Sequence, residues 1–283
     1  MFGVLERISW PGSHDRANED ACGAAGDWAW VVDTSIFPGT PSFMHPQSDA
    51  AWLAGFADTR FRALAADAAD GPALVRQVME EARETFLAAA PEDRGDPVTW
   101  PLGALTLVRG RDGNLDVWTF GDTTAYLRHS DGSVVTVGEA PALRVAESAT
   151  AADLLREAGC TLKELLQAPA FRAWLTERHA GQKEGRGIPL LGLDPGTAVG
   201  MRHDRAALPK GSTVLLCSDG FSALVDLYRA FDARGLVEAA LSNGLQPLAA
   251  AARRIETDTD PAGVLYPRFK VSDDTTALLL DWN

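Results

Sequence analysis

Hydrophobic and polar positions alternate through much of the first 35 residues. Stretches 3–10, 20–26 and 27–33 read as strands, and in the last Trp28, Trp30 and Val32 share one face by the period of two. After a Pro/Gly-rich loop at 36–47 the period lengthens. Leu53, Phe56, Ala57, Arg60, Phe61 and Leu64 recur at helical spacing. A second stripe, Leu74, Val78, Ala82 and Phe86, is opened by Gly71-Pro72 and closed by Pro91, with Met79 as core filler. Alternation then returns at 104–109, 115–120, 124–129 and 133–137, with turn sequences at 110–114 and 130–132. Residues 140–209 write a weaker pattern. Thr161 and Glu164 have capping-box spacing, Phe171, Trp174 and Leu175 read as inward-facing, and Gly and Pro accumulate at 184–196. This segment reads as an irregular flap or insertion. A short apolar strand then ends on Asp219, helical patterns run to Ile255, and Asp273 and Asp274 precede a last apolar strand.

Short turns between adjacent strands dictate antiparallel pairing. Helices grouped between the strand runs then predict an α+β fold, a four-layer α-β-β-α sandwich of two antiparallel sheets flanked by pairs of helices. Its expected extent is a single domain over 1–283.

Composition changes this picture little. A chain of 283 residues with 46% hydrophobic content can bury a sizeable core. A formal net charge of -13 argues against nucleic acid as a partner, since phosphate-backbone binding needs clustered Lys and Arg. The three cysteines form no C-x-x-C pair, so zinc and a disulfide framework are not expected. No run approaches a membrane span and the N-terminus has no long apolar leader core, so the expectation is a cytoplasmic protein without a membrane partner.

The chemistry gathers where apolar strands begin or end. Asp33, Asp219 and Asp273 share that position, joined by Glu19 and Asp20 in Asn-Glu-Asp and by Asp122 in Phe-Gly-Asp-Thr-Thr. One Asp at a strand end ordinarily serves a turn or cap. Several carboxylates brought together repel one another unless a cation sits among them. Oxygen ligands without His or Cys favour magnesium or manganese.

The order of these motifs, with Leu-Leu-Cys-Ser-Asp-Gly-Phe at 215–221 the most specific, resembles the metal-dependent type-2C serine/threonine protein phosphatases, the PPM family. The similarity is to a divergent, bacterial-type member and runs from about residue 5 to the C-terminus. It implies the same sandwich fold and a site holding two Mn or Mg ions. On that resemblance Asp33 bridges the ions, the carbonyl of Thr34 is a further ligand, Asp219 and Asp273 complete the pair, and Glu19 touches one ion with Asp20 behind it. Asp122 matches a ligand of a third, weaker metal. The implied reaction is hydrolysis of phosphoserine and phosphothreonine monoesters by a metal-activated water, in line and without a phosphoenzyme. The implied partner is a phosphorylated protein, opposing a serine/threonine kinase.

Three positions depart from the family pattern. Thr34 stands where the family has Gly, which predicts a strained or reshaped turn. The phosphate-binding Arg falls at Asp15, which leaves Arg16 and His14 as candidates. Ala223 replaces an acidic ligand of the third metal. These departures keep open a catalytically weak or dead phosphatase-like domain that binds a phosphoprotein or regulator, and the sequence does not separate proteins from small phosphoesters as substrate. Other hydrolase chemistries fit poorly. The residues six after Cys22, Cys160 and Cys217 are Trp28, Leu166 and Ala223, not the Arg of a cysteine phosphatase, and Ser218 lies outside a G-x-S-x-G elbow.

Overall fold

Strand β3 (Trp28–Ser35) is buried on both faces, and that sets the layering. Ala29 and Val31 face inward and pack with Val214, Leu216, Leu278 and Leu280 of a second sheet. Trp28, Trp30 and Val32 face outward and are covered by Phe61, Leu74 and Val78 from α1 (Asp49–Leu64) and α2 (Gly71–Ala89). A strand in this place must be apolar on both sides, so strict alternation fades into a continuous hydrophobic run.

The computed structural model describes residues 1–91, 97–138, 140–183 and 187–283. One sheet has the order β1 (Phe2–Trp10), β10 (Thr275–Trp282), β9 (Thr213–Cys217), β6 (Thr124–Arg128) and β7 (Val134–Val137). The other runs β2 (Asp20–Ala25), β3, β4 (Leu102–Arg111), β5 (Asn114–Phe120) and β8 (Arg202–Ala207). Neighbouring strands in both are antiparallel. Helices α5 (Asp219–Asp226), α6 (Ala233–Asn243) and α7 (Leu245–Arg254) cover the outer face of the first sheet through Phe221, Leu236 and Leu248. The α+β sandwich expected from the pattern is therefore the fold observed. No helix among the described residues is long and apolar enough to cross a membrane.

Residues 140–209 differ from expectation. In place of an irregular flap they carry helices α3 (Ala140–Ala158) and α4 (Pro169–Lys183) and then β8, which joins the second sheet. The two helices share an apolar cluster of Leu154, Leu165 and Phe171, with Phe269 packed against it. Alanine-rich α3 has high helix propensity but writes no strong apolar stripe, so its periodicity is faint. Residues 184–186, where the Gly/Pro-rich stretch begins, lie outside the described residues.

Candidate active site and metal centre

Strand register brings the carboxylates together. Asp20 opens β2 directly opposite Asp33 on β3. Like charges so placed across an antiparallel pair are destabilising. On the facing sheet β9 lies beside β10, with Cys217 opposite Ala277, so Asp219 just beyond β9 and Asp273 just before β10 fall side by side. Two bonds lock this junction: Ser218 N–H donates to Thr276 O (2.9 Å), and Thr276 N–H donates to Ser218 Oγ (3.0 Å). Gly220 is required there. A Cβ on it would stand 2.0 Å from the carbonyl oxygen of Asp274. Asp219 lies in the first turn of α5, where the helix dipole favours an anion. Asp122 sits in the turn between β5 and β6.

Residues outside the expected set hold these groups in place. Ser48 caps α1, accepting from Ala50 N–H at 3.1 Å, and its hydroxyl also bonds the Glu19 carboxylate. Asp274 ties down the 11–19 loop, its two oxygens accepting from Gly12 N–H (2.6 Å) and Glu19 N–H (2.7 Å). Arg253 donates to the carbonyls of Pro11 (3.0 Å), Gly12 (3.0 Å) and Asp273 (3.1 Å). Ser48 is visible in sequence as an N-cap before a helical stripe, and Asp274 as one of two adjacent acids. Arg253, separated from Gly12 by 241 positions, leaves no local signal.

Thr34 does not strain the site. It is an extended strand residue whose amide donates to Glu19 O at 3.1 Å. Its hydroxyl lies 2.5 Å from Glu19 O and 2.8 Å from Ala50 O. The room for its side chain comes from across the ladder, where its partner is Gly103, on which a Cβ would meet the Thr34 methyl at 2.8 Å. The expectation of a strained turn at Thr34 is thus corrected. The small residue this crossing needs stands on β4 instead.

The electrostatics are those of an overcrowded acid cluster. Burial, and then Asp274, push the Asp20 carboxyl well above its usual range against a smaller lowering by the nearby Ser218 hydroxyl, and neither of its oxygens has a partner at hydrogen-bonding distance and angle. Asp33 is likewise raised, by burial first and then by Asp20, Asp219 and Asp273. Burial also lifts Glu19 and Asp273, each partly offset by Lys270. Asp122 is pushed up to about 8 by burial, with Glu147 and Asp219 adding to it. Asp219 runs the other way. Burial would raise it, but Arg144 and then Lys270 outweigh that and hold it below its ordinary value. A buried group with no partner of its own, Asp20, and an all-oxygen donor set from Glu19, Asp33, Asp219 and Asp273 fit a hard divalent cation.

Among the described residues, Arg144 and Lys270 pair with acids of the expected set, and Arg178 Nη1 lies 3.0 Å from Glu147 Oε1. Arg144 Nη2 lies 3.0 Å from Asp219 Oδ2 and 2.9 Å from Asp219 O, with Nε 3.5 Å from Asp226 Oδ1. Lys270 Nζ donates to Asp273 Oδ1 at 2.6 Å. His14 and Arg16, by contrast, are exposed in the β1–β2 connection, and among the described residues no ion pair joins them to the carboxylates. Ala223 supplies no oxygen, yet α3 brings another carboxylate that sequence reasoning missed. Carboxylate oxygens of Asp122, Glu147 and Asp219 lie within 4.8 Å of one another.

No family model and no curated protein sequence matches the chain. Solved structures do. The chain is similar to the serine/threonine phosphatase PstP of Mycobacterium tuberculosis at 16% identity and a TM-score of 0.57, covering 100% of this chain and 98% of that one. It is similar to the PstP catalytic domain in complex with two manganese ions at 17% identity and a TM-score of 0.54, covering 99% and 97%. It is also similar to PppA, a regulatory component of the T6SS in Pseudomonas aeruginosa, at 16% identity and a TM-score of 0.55, covering 99% and 97%. The chain has the fold of the serine/threonine phosphatases. At these identities the likeness concerns the fold, and the chemistry rests on the residues above.

Proposed function

We propose that the chain is a Mg/Mn-dependent phosphoprotein phosphatase acting on phosphoserine and phosphothreonine monoesters. One observation carries this reading: acids from both sheets converge at one edge of the sandwich, and Asp20, Asp33 and Asp273 are raised there by burial and by one another, with neither Asp20 oxygen at hydrogen-bonding distance of a partner. The PstP domain in complex with two manganese ions supports it as a structure of the same fold. Asp33, Asp219 and Asp273 would hold two ions, with Glu19, Asp20 and the Thr34 carbonyl beside them, while Asp122 and Glu147 lie on the α3 side.

When bound, divalent ions supply a water of lowered pKa and neutralise charge that develops on the phosphoryl oxygens. The chain's own residues do the positioning. Ser48 aims Glu19, Asp274 and Arg253 fix the loop that carries it, and Ser218 keeps Asp219 and Asp273 in register. Arg144 and Lys270, already on the carboxylates, stand closer to the reaction than His14 and Arg16, which would have to reach in from the surface to bind phosphate. The partner on this reading is a phosphorylated protein opposing a serine/threonine kinase. The three free cysteines suit a cytoplasmic location.

A second reading has its own observation. Arg144 and Lys270 pair with candidate ligands, as expected of a phosphatase-like domain that binds phosphoprotein without hydrolysing it. Turnover of p-nitrophenyl phosphate against manganese concentration separates the two. The enzyme reading expects metal-dependent turnover that falls about 100-fold or more in Asp33→Asn. Flat background in both proteins overturns it, and unchanged turnover in Asp33→Asn refutes the site.

A further inference from the structure

Lys270 breaks the all-oxygen chemistry of the cluster. Its ammonium donates to Asp273 Oδ1 at 2.6 Å, and its charge acts on Asp273, Glu19 and Asp33, which span both sheets. It also acts on Asp219. The turn that carries it is firmly built. The buried Arg268 guanidinium donates to Val271 O (3.0 Å) and to Asp260 Oδ2 (3.1 Å). Phe269, the residue before Lys270, packs on Phe171 and Trp174 with ring centroids 5.5 and 5.0 Å away. The side chain is thus delivered into the cluster by a turn anchored on both sides.

A divalent ion would need the oxygens that Lys270 now faces. A tethered cation competes at high effective concentration, and an ion entering beside it meets a like charge. We propose that Lys270 is a built-in cation of the metal centre that takes the place of one divalent ion, so that the second ion binds weakly and enters only as the ammonium moves aside. This inference rests on the metal-dependent reading above and adds a control on loading. The centre would stay half-filled when manganese is scarce.

Calorimetric titration of metal-stripped protein with manganese tests it. The expected result is that Lys270→Met binds its weaker ion about tenfold or more tightly than wild type, or gains one ion. Thermal stabilisation by saturating manganese should likewise be larger in Lys270→Met. Lys210→Met, which removes an exposed lysine between β8 and β9, should match wild type. Lys270→Gln keeps a donor for Asp273 without the charge and carries the same expectation should Lys270→Met fold poorly. Equal or weaker manganese affinity in both Lys270 variants overturns the inference. So does a raised KM for p-nitrophenyl phosphate with unchanged manganese affinity, which would assign Lys270 to the phosphoryl group. Manganese binding by Lys270→Met but not by wild type would overturn the half-filled centre, which leaves wild type one bound ion, together with the enzyme reading. Binding by neither would overturn both.

Discussion

Two buried acids about which the chain does opposite things stand in this fold. Asp260 is 4% exposed and fully served: Oδ1 accepts from Val264 N–H (2.8 Å), and Oδ2 accepts from Tyr266 N–H (2.9 Å) and Arg268 Nη1 (3.1 Å). Burial pushes its carboxyl up, but the backbone donors and Arg268 together hold it below its ordinary value. Asp20 is 8% exposed, has no partner at hydrogen-bonding distance and angle on either oxygen, faces Asp33 across the ladder, and is driven upward despite the nearby Ser218 hydroxyl. Burying an ionised carboxylate is costly unless donors or an opposite charge replace water. Asp260 carries its compensation within the fold and so serves the fold. Asp20 has no such set of donors, and the Asp33 opposite it is crowded by Asp20, Asp219 and Asp273.

The largest effect expected from this contrast is on stability. Asp260→Ala leaves the Arg268 guanidinium buried without its carboxylate, so it should cost about 3–5 kcal/mol. Asp33→Asn should leave the metal-free protein as stable or more so, because it removes one member of a repelling pair. Urea unfolding of both variants in chelator measures the difference. A loss in Asp33→Asn as large as in Asp260→Ala would break the comparison, since Asp33 would then be a structural acid.

A smaller effect is expected with pH. Asp122, at about 8 in the folded protein against 3.8 ordinarily, binds its proton more tightly folded than unfolded. Its contribution to stability is therefore complete below 3.8 and lost as pH rises through about 8. Asp20, Asp33, Asp273 and Glu19 shift in the same direction. Asp260 and Asp219 are depressed, so their contributions are lost only as pH falls through their lowered values. The melting temperature of metal-free protein should thus fall between about pH 5 and pH 8, and saturating manganese should flatten or reverse the fall because ligands bind metal deprotonated. A metal-free melting temperature that rises across this window would place the partners of the acids within the fold.

The contrast also shows which parts of the molecule were legible in the sequence. Apolar runs bordered by Asp33, Asp219 and Asp273 write both the strands and the acids, although β3 runs two residues past Asp33, to Ser35, rather than ending on it. Glu19 and Asp20 could be read from the same logic. The groups that aim or neutralise these acids come from far along the chain: Asp274 meets Glu19 across 255 positions, and Arg144 meets Asp219 across 75. No period or spacing encodes such pairs. Glu147 and Arg144 were hidden further because α3 has too faint an apolar stripe to show which way its side chains face. Lys270 was overlooked because a lysine between an aromatic residue and a valine reads as ordinary surface.

The smallest expected effect concerns Thr34, where sequence logic pointed to strain and the fold shows none. Its backbone is ordinary strand, and its hydroxyl lies within hydrogen-bonding distance of two carbonyls that border the acid cluster, Glu19 O and Ala50 O. Thr34→Gly would forfeit that bonding and add backbone freedom to the unfolded chain, so a loss of about 1–2 kcal/mol in urea unfolding is expected. Because the carbonyl offered to a metal belongs to the main chain and β3 stays paired to β4, turnover of p-nitrophenyl phosphate should change by no more than about twofold. A tenfold gain in Thr34→Gly would mean that the Thr side chain holds the site away from its working shape.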